Sequence, residues 1–66
     1  MTDEQLLKRI TCDPGVLAGK PVVRGRRLSV AFILNLLGHG MTSEEILAEY
    51  SGLAAEDVSA CLLYAS

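Results

Sequence analysis

The chain has 66 residues, half of them apolar and three aromatic, which leaves room for one small domain and excludes a disordered tail. Its net charge of -2 does not by itself suit a polyanion binder, but the two signs are segregated. No apolar run approaches the ~20 residues of a membrane span, and no charged leader precedes an apolar stretch, so neither an anchor nor a signal peptide is expected.

Residues 3–9, "DEQLLKR", read as one short helical turn, with acids before bases as the helix dipole prefers. Asp13-Pro14-Gly15 is a turn signal, and Gly19-Lys20-Pro21 is a second. "VVRGRRLSV" reads as extended chain, with Gly25 marking a tight turn or bulge and Pro21 at a strand start or edge. A β-hairpin over residues 10–28 is expected.

The remainder reads as three helices over residues 29–66. Ser29 caps the first, which begins at Val30 and ends near Gly38 and Gly40, with Gly40 as a left-handed C-cap. Thr42 and Glu45 form a capping box for the second. Ser51-Gly52 breaks the chain, and the third helix runs from about Ala54 to the end. There Val58, Cys61, Leu62 and Ala65 recur at helical spacing and predict one core face. Ala55, Glu56, Ser59, Ala60 and Leu63 are expected to face outward. Tyr50 and Tyr64 are expected in the core with their hydroxyls at the surface. The fold class is mostly α, a small α+β domain spanning residues 1–66. It combines an N-terminal hairpin with a three-helix, helix-turn-helix body of winged-helix-like outline.

Residues 1–27 carry Lys8, Arg9, Lys20, Arg24, Arg26 and Arg27 against Asp3, Glu4 and Asp13, a balance of +3. Residues 28–66 carry no Lys or Arg and have a balance of -5. Lys20, Arg24, Arg26 and Arg27 fall within eight positions and are the candidate DNA-binding residues. A planar guanidinium binds two phosphate oxygens at once, and phosphate neutralisation releases counterions. Alternatively, Arg24 or Arg27 pairs with Asp13 or a glutamate of the second helix and pins the hairpin to the body. Arg26, beside the turn, is expected as an exposed contact residue. The third helix presents no Arg, Lys, Asn or Gln for base edges, so Glu56, Ser59 and Leu63 are candidates for contact with a protein partner.

Cys12 and Cys61 lack companions at ligand spacing, so reduced thiols in a cytoplasmic protein, without metal or cofactor, are expected. His39 reads as a helix-end residue. Glu44 and Glu45 are adjacent on a helix and do not face each other. No catalytic triad or phosphate loop is present, so no enzyme is expected. A chain this small and apolar is expected to form a homodimer.

Taken together, "ITCDPGVLAGKPVVRGRRLSV" and "ILNLLGHGMTSEEILAEYSGLAAEDVSACLLYA" resemble the domain-of-unknown-function family 433 over residues 10–65. The resemblance rests on Asp13-Pro14, on Gly19-Lys20-Pro21 with Arg24-Gly25 and Arg27, on Gly40 with Glu44-Glu45, and on Glu56-Asp57-Val58 with Tyr64-Ala65. It implies a hairpin-bearing helix-turn-helix domain, similar to bacterial antitoxins encoded beside a PIN-like nuclease toxin. It further implies binding to DNA at the chain's own promoter and neutralisation of the toxin, with no enzymatic activity. The chain departs from the pattern at Ala54, where Ser or Thr often caps the helix, and at Arg26, where Thr is frequent. If antitoxin members hold the toxin through a C-terminal extension after Tyr64-Ala65, a short or absent one is expected in this sequence.

Overall fold

Local side-chain caps decide where the helices begin. In the computed structural model, which describes residues 1–66, Thr2 Oγ1 accepts from the Gln5 N–H at 3.2 Å. The Gln5 side chain accepts in return from the Thr2 N–H at 2.9 Å, and helix α1 follows over Asp3–Leu7. Strand β1 spans Ile10–Cys12. Asp13 Oδ1 then accepts from the Gly15 N–H at 2.9 Å, closing the predicted turn. A one-turn 3-10 helix over Leu17–Gly19 leads to strand β2, Pro21–Val23. Its backbone is left-handed at Leu17, Ala18 and Gly19 (φ 49°, 56° and 82°), a conformation that disfavours the first two side chains.

The strands pair antiparallel in the register Ile10↔Val23, Thr11↔Val22 and Cys12↔Pro21. Pro21 therefore opens its strand, as expected. The stretch predicted as extended after Val23 instead folds back on itself. The Arg26 N–H donates to the Val23 carbonyl at 2.9 Å, and Gly25 takes φ +79°. The Val23 N–H donates to the Leu28 carbonyl at 3.0 Å, and Ser29 bridges Val22. Residues 23–26 thus form a β-turn with positive φ at its third position, which glycine alone adopts without strain.

Helix α2 spans Val30–Gly38, with Ser29 Oγ accepting from the Phe32 N–H at 3.0 Å. It ends in a paired hydrogen-bond motif: Met41 N–H to the Leu36 carbonyl and Gly40 N–H to the Leu37 carbonyl, both at 3.1 Å. Gly40 at φ +93° makes that exit possible. His39 Nδ1 donates to the Asn35 carbonyl at 2.8 Å, the helix-end role its position suggests. Helix α3, Ser43–Glu49, carries the predicted box, Glu45 N–H to Thr42 Oγ1 at 3.1 Å and Thr42 N–H to Glu45 Oε1 at 2.9 Å. Helix α4 spans Ala55–Ala65.

The core gathers Ile10 of β1, Val23 of β2, Val30 and Ile33 of α2, Ile46 of α3, Leu53 of the α3–α4 connection, and Val58, Ala60 and Cys61 of α4. The architecture is a small α+β domain, a two-stranded hairpin followed by helices, with α1 laid across α4. No helix is long and apolar enough to cross a membrane.

Helix α4 is turned differently from its apolar spacing. Val58 and Cys61 are buried, but Leu62 and Tyr64 are about half exposed and Ala65 is exposed. Ala60, expected outside, is fully buried, and Asp57 is buried but for 7%. The buried face of α4 is Asp57, Val58, Ala60 and Cys61, with Asp57 ion-paired to Arg9. Tyr64 falls outside that face and is not in the core position expected for it. Tyr50 is half-buried and meets Phe32 edge-on, with centroids 5.8 Å apart at 88°.

Candidate nucleic-acid interface

Arg9 organises the basic surface. Its Nη1 donates to Asp57 Oδ1 at 3.1 Å, and its carbonyl accepts from the Arg24 N–H at 2.6 Å. Asp57 Oδ2 accepts from the Ala54 N–H at 2.9 Å. A methyl side chain at Ala54 has no acceptor, so only this half of a capping box exists at α4. One carboxylate thus substitutes for the missing cap and ties α4 to the segment before β1. The tie also sets the end of β2, and with it Arg24, beside Arg9.

Arg9–Asp57 is the only ion pair in the molecule. Arg24 and Arg27 pair with neither Asp13 nor a glutamate of α3. The alternative of internal ion pairs therefore does not describe them, and both are exposed. Arg24, Arg26 and Arg27 line one open depression of about 420 Å³ together with Thr11, Asp13 and Val22. Arg24 also borders a neighbouring depression of about 630 Å³ lined by Gln5, Lys8, Arg9 and Asp57. Through Arg24 the two form a continuous surface carrying five of the chain's six Lys and Arg residues.

Arg26 is exposed overall, but its guanidinium rests against Gly52. A Cβ at position 52 would stand 2.6 Å from Arg26 Cζ and 2.8 Å from both terminal nitrogens. Gly52 does not have positive φ, so the backbone does not demand glycine there. The space for the guanidinium does. Arg26 thus braces the β-turn against the α3–α4 connection.

Lys20 stands apart from this surface. It precedes β2 while the arginines follow it, and it borders a groove of about 350 Å³ formed by Pro21, Val30, Ala31, Leu34, Tyr64 and Ala65. The eight-residue cluster is therefore split by a strand into a basic turn and a lysine at an apolar groove. Lys8 and Arg9 join the arginines instead. Their distance in sequence hid this, and only the antiparallel register could reveal it. Of the proposed partner face, Glu56 and Ser59 are exposed on α4 and Leu63 is half-buried.

The family model for proteins of unknown function (DUF433) matches residues 10–65. This chain belongs to the DUF433 family. A crystal structure of a DUF433 member protein from Anabaena variabilis ATCC 29413 is similar, with a TM-score of 0.83 and 36% identity. The match covers 92% of this chain and 60% of that one, so the DUF433 domain described above spans less than two thirds of its relative's length. No curated protein matches the chain. In this DUF433 domain Arg24, Gly25 and Arg27 all fall on the solvent-exposed turn.

Proposed function

We propose that this chain is an antitoxin-like, DNA-binding regulator: dimeric, non-enzymatic and cytoplasmic, gripping the phosphate backbone through the turn after β2. The observation that carries this reading is that Arg24 and Arg27 face solvent without a carboxylate partner, on a turn braced by Arg26, while the sole ion pair is formed elsewhere. Unpaired guanidinium groups on one surface suit a polyanion, and Lys8 extends the same surface. Lys20, expected with them as a phosphate contact, precedes β2 and borders the apolar groove instead of the arginine turn.

Fluorescence anisotropy tests it, with the chain titrated onto duplex DNA from upstream of its own gene and onto a scrambled duplex across a salt series. Binding is expected to weaken steeply with salt. Replacing Arg24 and Arg27 with Ala is expected to lower the salt slope by about one unit per lost phosphate contact. Unchanged binding by the double variant overturns the reading.

A second reading has its own observation. The apolar groove of Pro21, Val30, Ala31, Leu34, Tyr64 and Ala65, beside half-exposed Leu62, suits a protein contact. In this reading the chain neutralises a PIN-like nuclease with little or no DNA binding, and Glu56, Ser59 and Leu63 belong to the contact. Co-purification with the product of the neighbouring gene, with no DNA binding at low salt, would favour it.

A further inference from the structure

We propose that the Arg24–Arg27 turn reads DNA from the minor groove, selecting A·T-rich segments by their narrow width rather than by base-edge contacts in the major groove. This rests on the DNA-binding function proposed above and assigns that surface its target class.

Helices α3 and α4 and strand β2 offer little to enter a groove. A major groove admits a helix that carries hydrogen-bonding side chains, or a two-stranded ribbon. The exposed positions in the first half of α4 are Ala55, Glu56 and Ser59, and α3 exposes Glu44, Glu45 and Glu49. Neither helix offers a guanidinium or amide to a base, and both carry charge that phosphates repel. The ribbon is blocked for a different reason. Val22 and Val23 are each 1% exposed. Successive strand residues point to opposite faces, so both faces of β2 are already covered by the protein.

What remains free is the tip. Nothing lies within 4 Å of the position a Cβ would take on Gly25, and Arg24 to Arg27 are all exposed. Arg26 anchors the tip by resting on Gly52, which leaves Arg24 and Arg27 to project from a turn whose shape is already set. A minor groove about 6 Å wide excludes a helix but accepts arginine side chains. Where A·T tracts narrow it further, its negative potential deepens and draws arginine in. Guanidinium is the suitable cation, being less strongly hydrated than ammonium.

The test uses three duplexes of equal length with the same flanks and a central six base pairs of A·T, G·C or I·C. Inosine keeps the major-groove pattern of guanine but lacks its minor-groove amino group. Anisotropy is expected to give A·T and I·C duplexes similar affinities, about tenfold tighter than G·C. An Arg24→Lys/Arg27→Lys variant, with a melting temperature matching the parent, is expected to bring the three affinities together. If I·C ranks with G·C, readout is from the major groove and the proposal falls. Equal binding of all three, with a steep salt slope, overturns the groove assignment and leaves DNA binding standing. No binding to any duplex at about 50 mM salt overturns DNA binding itself, and the groove assignment with it.

Discussion

Asp57 shows how much one side chain can carry in a domain this small. Its carboxylate accepts from Ala54 at the start of α4 and from Arg9 ahead of β1, and it is 7% exposed. Asp57→Ala leaves both donors unmatched and is expected to destabilise the fold by about 2 kcal/mol. In a domain of this size that lowers the melting temperature by roughly 10 °C in a thermal scan. Asp57→Asn keeps a cap acceptor and is expected to lose less. The two cysteines differ in the same local way. Cys61 is fully buried, and burial, with the nearby Asp57 charge, pushes its thiol up to about 11 from the ordinary 9.0. A raised acid favours the neutral form in the folded state, so between pH 9.0 and about 11 the unfolded chain gains by ionising where the folded one does not. Stability is therefore expected to fall across that window, and Cys61→Ala to flatten the fall in denaturant titrations. Cys12 is exposed, so a disulfide-exchange reagent is expected to titrate one thiol in the folded chain and two in denaturant.

The helices, as elements, are set by their first four residues. Helices α1 and α3 use the same reciprocal box, closed by Gln5 in one and Glu45 in the other. The hydrogen bonds from the Thr42 backbone and side chain hold the Glu45 carboxyl below its ordinary value of 4.5. A lowered carboxyl contributes stability above that value and loses it as acid protonates the folded form. Glu45→Gln copies the α1 arrangement, keeping the acceptor without the charge. It is expected to leave circular dichroism at neutral pH unchanged and to reduce the loss of helix signal below pH 4.5. Helix α4 has no such box because Ala54 cannot accept. Ala54→Ser is expected to add about 1 kcal/mol of stability, read as a higher denaturant midpoint.

At the scale of the whole molecule the chain is polarised. The basic turn and α1 occupy one region, and the apolar groove beside Lys20 lies at the other end of β2. A dimer that closes the groove would leave two arginine turns free, as a symmetric regulator on paired half-sites requires. On the proposed dimer, Ala31→Glu, which places a charge in the groove at an exposed position, is expected to lower the mass read by light scattering to that of a single chain. It is also expected to weaken DNA affinity without altering the far-ultraviolet spectrum.

Read alone, the sequence determined whatever depends on neighbours within about four residues. The Thr42–Glu45 box, the Ser29 cap, the Gly40 exit, the Asp13–Gly15 turn and the place of Pro21 follow from local hydrogen bonding and backbone freedom. So did the hairpin-then-helices order. The tertiary structure decided what depends on distant partners. Arg9 and Asp57 are 48 residues apart, and neither looks special until β1 and α4 meet. Packed against the rest of the fold, α4 carries Ala60 inward and Leu62 outward, against the apolar period. Gly52 and Arg26 met only because the hairpin turn packs on the α3–α4 connection. Lys20 left the cluster because a strand, about 3.3 Å per residue, carries its two ends apart, whereas sequence counts them as neighbours.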